Sequence, residues 1–550
     1  MLTYHYASEG VKGRYLGFSL DNTANSTYSY DSYGRLNQIN GLGGNFQYSY
    51  LANSGLLENL TRPNGVSTQW NYEAHRDLIT QVANGSVSTF DYVNDALGRR
   101  TSMSRSGSAF TVPDILSYGY NDRSEVISAQ ANTNSAYNYH YNYDPIGNRT
   151  TATLAGVNWD YTSNNLNQYT RLVFGDAVQE PTYDADGNML TRSGWTQSWN
   201  GENRLIETAK GDVKLQFSYD YMGRRIEKKV YNGDVLTKRL RFVYNGYKLL
   251  EELDAQNENA TLRKYTWQEG VGLDVPLSVY DAEETATYFY TTDANKNVSE
   301  VTDSEGNIVA HYAYAPFGKQ TIAMGIYANS NPFRFSSEYF DTETELIYYN
   351  YRYYSLDLGR WLSKDLIGEK GGFNLYIMVN NSSVNSIDYL GLNPWGAAFG
   401  IPEDYARQQH LLQDMPPIPD NSFHTGRNMK NKCPQKIPGF DSQCPNKDSR
   451  VGEKFDYGNS NLYTYEGRPS LHGGFRTFRG TGLSNAGSQC TYDEDGNLMD
   501  TGPNQGTYDY FPPFDGNGIN FWNLALHFAT DVVPHFFSNN YTGNQTTILE

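Results

Sequence analysis

Three cysteines in 550 residues are too few for a disulfide scaffold. No apolar run reaches the roughly 18 residues of a membrane helix. The opening MLTYHYASEGVKGRYLGFSL lacks both the basic start and the apolar centre of a signal peptide. Basic charge is also scarce: 43 Lys and Arg face 61 Asp and Glu, a formal charge of −18. Phosphate binding needs clustered cations, so a nucleic-acid surface is excluded over most of the chain. Hydrophobic residues make up only 38%.

What the sequence does have is rings. Aromatics supply 15% of it and Tyr alone 47 residues, so burial must come from rings with polar tips, a mixture that favours strands. They are unevenly spread: 39 Tyr precede Leu392, whereas all three Cys, 13 of the 20 Pro and five of the nine His follow it. A domain boundary there is expected.

Before that boundary a ring-x-ring pair recurs as Tyr28/Tyr30, Tyr48/Tyr50, Trp70/Tyr72, Phe90/Tyr92, Tyr118/Tyr120, Tyr141/Tyr143 and Trp159/Tyr161. It continues as Phe217/Tyr219, Phe242/Tyr244, Tyr265/Trp267, Tyr288/Tyr290 and Tyr312/Tyr314, with Tyr183 and Trp199 as half-matches. Rings two apart share one face of a strand. The pair runs into turns such as YSYDSYGRL and FSYDYMGRR, in which Asp can bond the backbone ahead and Gly accepts positive φ. Each unit is therefore a hairpin. Fourteen hairpins give about 28 strands, a ribbon roughly 130 Å long that must coil or close. A single turn would be about 43 Å across and leave about 33 Å inside. Residues 393–550, folded compactly, need about 39 Å, more than such a turn offers, so either more repeats precede Met1, or the tail sits inside incompletely folded, or it lies outside. A propeller would need units of about 40–50 residues and a GH…WD signature, which is absent. The expected fold is all-β: a spiralling antiparallel hairpin ribbon forming a hollow shell, with a small mixed C-terminal domain. Because the first residues already carry the Tyr-x-Tyr texture, the chain reads as a piece of something longer, with any export signal upstream.

These units resemble YD/RHS repeats, and 348–392 resembles the RHS repeat-associated core. That core usually reads YYDPxxGRFLSxDPxGxxGGxNxYxYVxNNPxxxxDPxGL; here it is YYSLDLGRWLSKDLIGEKGGFNLYIMVNNSSVNSIDYLGL. The stretch from Tyr288, YFYTTDANKNVSEVTDSEGNIVAHYAYAPFGK, is similar to the family's other hallmark. The resemblance covers 1–392 and implies three parts: a repeat shell at 1–287, a core that plugs it at 288–392, and a variable domain at 393–550. In bacterial relatives the variable part is often a toxin; in animal teneurins the shell serves adhesion. The resemblance also implies that the core cuts its own chain with Arg352, Asp365 and Asp388, after Leu392 and before Asn393. Two neighbouring carboxylates do not both ionise cheaply, so one holds a proton while the other activates water, and Arg352 can stabilise the charge on the attacked carbonyl. Leu366 and Tyr389 replace the Pro that follows each Asp in the family, which removes a fixed φ. The alternatives are that both Asp are turn acceptors and that Arg352 simply pairs with one of them.

The tail offers less. A helix is expected from about Pro402 to Gln413, followed by the turn-rich MPPIPDNS. GSQCTYDEDGNL and GTYDYFPPFDGNGINFWNLALHFATDVVPHFF resemble the second half of an AMOP extracellular module, with Thr491 in place of its second Cys and its closing Cys pair missing. YDEDGNL is equally one more Tyr-Asp hairpin. His424 lies in a basic stretch, SFHTGRNMKNK, that a nuclease could use, and His472 precedes Gly-Gly, yet neither sits in a catalytic pattern. Ten residues separate Cys433 from Cys444 and no CxxC occurs, so a disulfide in an exported tail is favoured over a metal site. Lys432, Lys436 and Lys447 around them suit a solvated loop. No cofactor and no metal are expected.

The leading reading is a secreted or cell-surface shell that encloses and delivers its own C-terminal domain. An immunity protein and a secretion apparatus are the expected partners. The rival is an adhesion protein whose tail binds a carbohydrate or cell-surface partner.

Overall fold

The computed structural model describes residues 1–21, 23–269, 275–392 and 394–396, and four strands between 454 and 492. The expected tail helix, His424, His472, Cys433 and Cys444 lie outside the described residues. The chain divides into two units, Met1–Ile401 and Pro402–Glu550.

In the first unit, strands β1 (Leu2–Tyr6) to β17 (Ala177–Gln179) pair antiparallel, each with the next, and β18 (Thr191–Arg192) to β30 (Gln320–Met324) do the same. Among the described residues there is no α-helix, only short 3-10 turns. The all-β hairpin ribbon is the observed fold, and the ladder runs through residue 288 without a break.

Side chains explain the repeat. Asp31 Oδ1 accepts N–H bonds from Tyr33 and Arg35, both at 2.9 Å, and Asp220 Oδ1 from Met222 and Arg224, both at 3.0 Å. The third position after the Asp adopts φ of 82° at Gly223; where the sequence lacks Gly, Asn167 and Asn203 take the same left-handed conformation. In nine of the twelve pairs the second ring reaches back to the preceding hairpin. Tyr50 Oη donates to the Leu36 carbonyl at 2.6 Å, Tyr219 to Leu205 at 2.6 Å, Tyr244 to Arg225 at 2.9 Å, and Trp267 Nε1 to Leu249 at 2.6 Å. At each of these rings the strand register shifts by a bulge. The turn Arg completes the staple: Arg224 pairs with Asp220 at 2.7 Å, donates to the Gly246 carbonyl at 2.6 Å and lies over the Tyr244 ring. Tyr244→Phe removes one such bond and should cost about 0.5–1.5 kcal/mol, read as a lower denaturation midpoint with an unchanged slope.

The ribbon winds onto itself sooner than expected. Leu42, between β4 (Leu36–Gly41) and β5 (Gly44–Tyr50), donates to Thr266 Oγ1 in β25 (Ala260–Trp267) at 2.9 Å. Asn64 meets Thr302 and Asp303, and Ser88 donates to Glu300 at 2.6 Å. Contact from β4 to β25 closes a turn after twenty-one strands, or about 32 Å across at roughly 4.8 Å per strand. The single wide turn of about 43 Å is thus corrected. Strand twist and polar turn-to-edge bonds favour an overlapping coil.

Residues 331–392 pack against the inner face. Strands β31 (Tyr339–Asp341), β32 (Leu346–Tyr349), β33 (Arg352–Ser355) and β34 (Arg360–Trp361) form a small antiparallel sheet. Phe333, Tyr339, Tyr348, Tyr353 and Leu362 share one core with the wall residues Tyr141, Phe217, Phe242 and Tyr312. Just after three turns the inward residue is Arg rather than an aliphatic such as Leu36 or Leu205, and each of these Arg grips the inner layer. Arg100 donates to the Val384 carbonyl, Arg149 to that of Leu358, and Arg225 to Asp341. In the second unit, Lys454–Asp456, Leu462–Gly467, Arg476–Gly480 and Gln489–Tyr492 form four consecutive antiparallel strands, the last containing Cys490.

Candidate functional site

The three residues expected to cut the chain meet within the inner layer. Arg352 opens β33 and is only 3% exposed. Its Nε donates to the Gly391 carbonyl and Nη1 to the Leu375 carbonyl at 3.3 Å. Its Nη2 lies 2.8 Å from Asp365 Oδ2 and 3.4 Å from Asp388 Oδ2. One guanidinium therefore bridges both carboxylates and holds the backbone one residue before Leu392.

Asp388 ends β35 (Ser386–Asp388) and is 1% exposed. Its Oδ1 accepts N–H bonds from Leu390 at 3.3 Å, Gly391 at 2.7 Å and Leu392 at 3.0 Å. Such donors favour an ionised carboxylate. They also bend 389–392 into a tight loop. Gly391 sits at φ +78°, where a Cβ would come within 3.1 Å of both Tyr349 Cβ and the Tyr349 carbonyl, so the turn requires Gly. Asp365 accepts from the Ile367 N–H at 3.0 Å, and its own N–H donates to the Leu375 carbonyl. Burial pushes the Asp365 carboxyl up to about 6; Arg352 pulls it down and Asp388 adds to the rise.

Both alternatives raised by the sequence are present in this geometry: each Asp accepts within its own turn, and Arg352 pairs with both. Leu366 and Tyr389 remove two Pro, and hydrogen bonds hold the carboxylates instead. Leu392 is buried. Asn393, the other half of the candidate bond, lies outside the described residues; beyond it β36 (Pro394–Gly396) folds back on β35, with Pro394 opposite Asp388. Sequence reasoning missed Gly391, the Leu375 carbonyl and Trp361, whose ring lies 4.1 Å beneath Arg352 Cζ. The signal for Trp361 was its place in GRWLSKD, between Arg352 and Asp365. Among the described residues, no cluster of three or more His, Cys, Asp or Glu is arranged to hold a metal, and no helix is long and apolar enough to cross a membrane.

A hairpin-repeat wall wound around its own aromatic plug defines a β-shell protein. The teneurin YD-shell model matches residues 87–380, and the chain belongs to that family, within the RHS and YD-repeat proteins. Over 328 residues it is 28% identical to double-stranded DNA deaminase toxin A of Burkholderia cenocepacia, covering 51% of this chain and 22% of that protein. Over 389 residues it is 28% identical to tRNA nuclease WapA of Bacillus subtilis, covering 68% and 16%. Over 304 residues it is 29% identical to toxin subunit YenC1 of Yersinia entomophaga, covering 49% and 30%. The chain thus spans less than a third of each of these relatives. The crystal structure of TcdB2-TccC3 without its hypervariable C-terminal region superposes with a TM-score of 0.52 at 21% identity, over 70% of this chain and 21% of that one, a likeness of fold.

Proposed function

We propose that this chain is a shell that presents and delivers the variable domain at 393–550, and that Arg352, Asp365 and Asp388 separate the two by cutting after Leu392. Relatives that are toxins support the delivery reading. The cut is supported by one observation above the rest: Arg352 joins both carboxylates while holding the Gly391 carbonyl. The ionised Asp388 takes a proton from water as its oxygen bonds to the Leu392 carbonyl carbon. Arg352 offsets the negative charge that gathers at this site. Asp365, the carboxyl that holds its proton, gives it to the leaving nitrogen of Asn393 as the peptide bond breaks. The products are a Leu392 carboxylate and a new amino terminus at Asn393. Export to the outside of the producing cell goes with this reading, and an immunity protein is the partner it calls for.

Intact-mass measurement of the purified chain tests the cut, with a species ending at Leu392 expected. The rate should also depend on pH. Asp365 acts as an acid only while protonated, so cutting is fastest below about 6 and slows as pH rises through that value. Well above it, the slope approaches about tenfold per pH unit. A rate that is flat between about pH 5 and 8 removes Asp365 from the acid's role.

A further inference from the structure

Trp361 makes no hydrogen bond to the three polar residues of the site, yet it is fully buried and its ring faces the guanidinium of Arg352 at 4.1 Å from Cζ. That ring is itself fixed. Tyr349 meets it edge-on at 5.0 Å between centroids and Tyr354 at 5.4 Å, and the Trp361 backbone N–H donates to the Tyr376 carbonyl at 2.9 Å. The edge of the guanidinium is engaged by Gly391, Leu375, Asp365 and Asp388. A planar cation whose edge serves three chain segments through Nε, Nη1 and Nη2 must keep its plane, and these edge bonds support neither of its faces. A flat aromatic floor supports one, and the negative face of the indole attracts the cation most where solvent is excluded.

We infer that Trp361 is a positioning residue for the proposed cut: its ring sets the plane of Arg352, and through Arg352 the spacing of Asp365, Asp388 and the Gly391 carbonyl. The inference rests on the self-cleavage reading. It concerns the ring's electrons as well as its bulk, because Leu or Met would fill much of the same space without a π face.

The charged groups against Arg352 are Asp365, from the loop after β34, and Asp388, from β35; the phenols of Tyr349 and Tyr354 stand around the indole. This setting gives the two roles of Trp361 opposite signatures. If the ring only fills space, removing it admits water, and the Asp365 carboxyl falls towards its ordinary value. If the ring aims Arg352, removing it frees the cation that pulls Asp365 down, and the carboxyl rises.

The test follows cutting of the full chain made by cell-free synthesis, sampled over time on denaturing gels from about pH 5 to 8. Trp361→Phe keeps a π face and should cut within about threefold of the natural chain, whereas Trp361→Leu should cut at least about tenfold more slowly, with its pH fall displaced upward. A ring-fluorinated tryptophan placed at 361 keeps the shape and weakens the π face, so it avoids any folding defect and should also slow the cut. An unchanged rate with the fluorinated ring, or a downward pH displacement in Trp361→Leu, overturns the positioning role while leaving the site's assignment intact. A natural chain that never cuts, or one cut equally well as Asp388→Asn, overturns both.

Discussion

Asp388→Asn should leave the chain whole. The amide matches the carboxylate in size, and its oxygen can still accept the N–H bonds that now come from Leu390, Gly391 and Leu392, so the loop keeps its bend. It cannot take a proton from water. A positioned general base contributes about 10²–10⁴-fold, so over hours the fragments of 392 and 158 residues should give way to one band of 550. Asp388→Ala is a poorer test, because it also removes the acceptor that shapes the loop. Asp365→Asn should slow the cut through the other half of the chemistry, since Asn cannot deliver a proton to the leaving nitrogen. If the same two fragments persist in Asp388→Asn, Asp388 is a turn acceptor and the Arg352 ion pairs are structural.

Much of this architecture was legible in the residue string. Ring-x-ring spacing reports one face of a strand, and Asp followed three places on by Gly reports a turn; both are local, so the hairpins and the antiparallel ladder followed directly. The core motif likewise brought Arg352, Asp365 and Asp388 onto one list although the outer two stand 36 positions apart, and the fold places them in contact. What could not be read was long-range. That Tyr244 donates to Arg225 explains why the pairs recur about every twenty residues, but the bond exists only between adjacent hairpins. The closure near twenty-one strands depends on how Leu42, Asn64 and Ser88 meet a later part of the ribbon, which no local pattern encodes. No local pattern marks Arg100, Arg149 and Arg225 as inward; their direction follows from the bulge that resets the register where each meets the preceding strand, opposite Asn94, Tyr143 and Tyr219.

Arg225→Met should produce the largest loss of stability in the wall. Arg225 is 1% exposed and its Nη1 lies 2.5 Å from Asp341 Oδ2, while Lys228 Nζ sits 2.7 Å from Asp341 Oδ1 and 2.7 Å from Glu343. The guanidinium lies among the rings of Tyr348 at 4.5 Å, Tyr339 at 4.9 Å and Phe217 and Phe242 at 5.2 Å. Met fills that volume but leaves Asp341, wholly buried, with Lys228 as its only cation, and breaking such a pair costs about 3–5 kcal/mol. Arg225→Met combined with Asp341→Leu removes that pair and leaves Lys228 to Glu343, its other partner at 2.7 Å, so it should regain part of the loss. The pH dependence follows from the same geometry. Burial pushes the Asp341 carboxyl up, but Arg225 and Lys228 outweigh it and hold the group below its ordinary 3.8. The pair's contribution is therefore complete at neutral pH and fades as pH falls through the lowered value, below about 4. Hydrogen exchange of residues 339–355 reads undocking of the inner sheet from the wall. Protection in Arg225→Met should drop sharply at pH 7 and change less on acidification than in the natural chain. Equal protection in the two proteins at neutral pH would mean that the aromatic packing alone holds the plug.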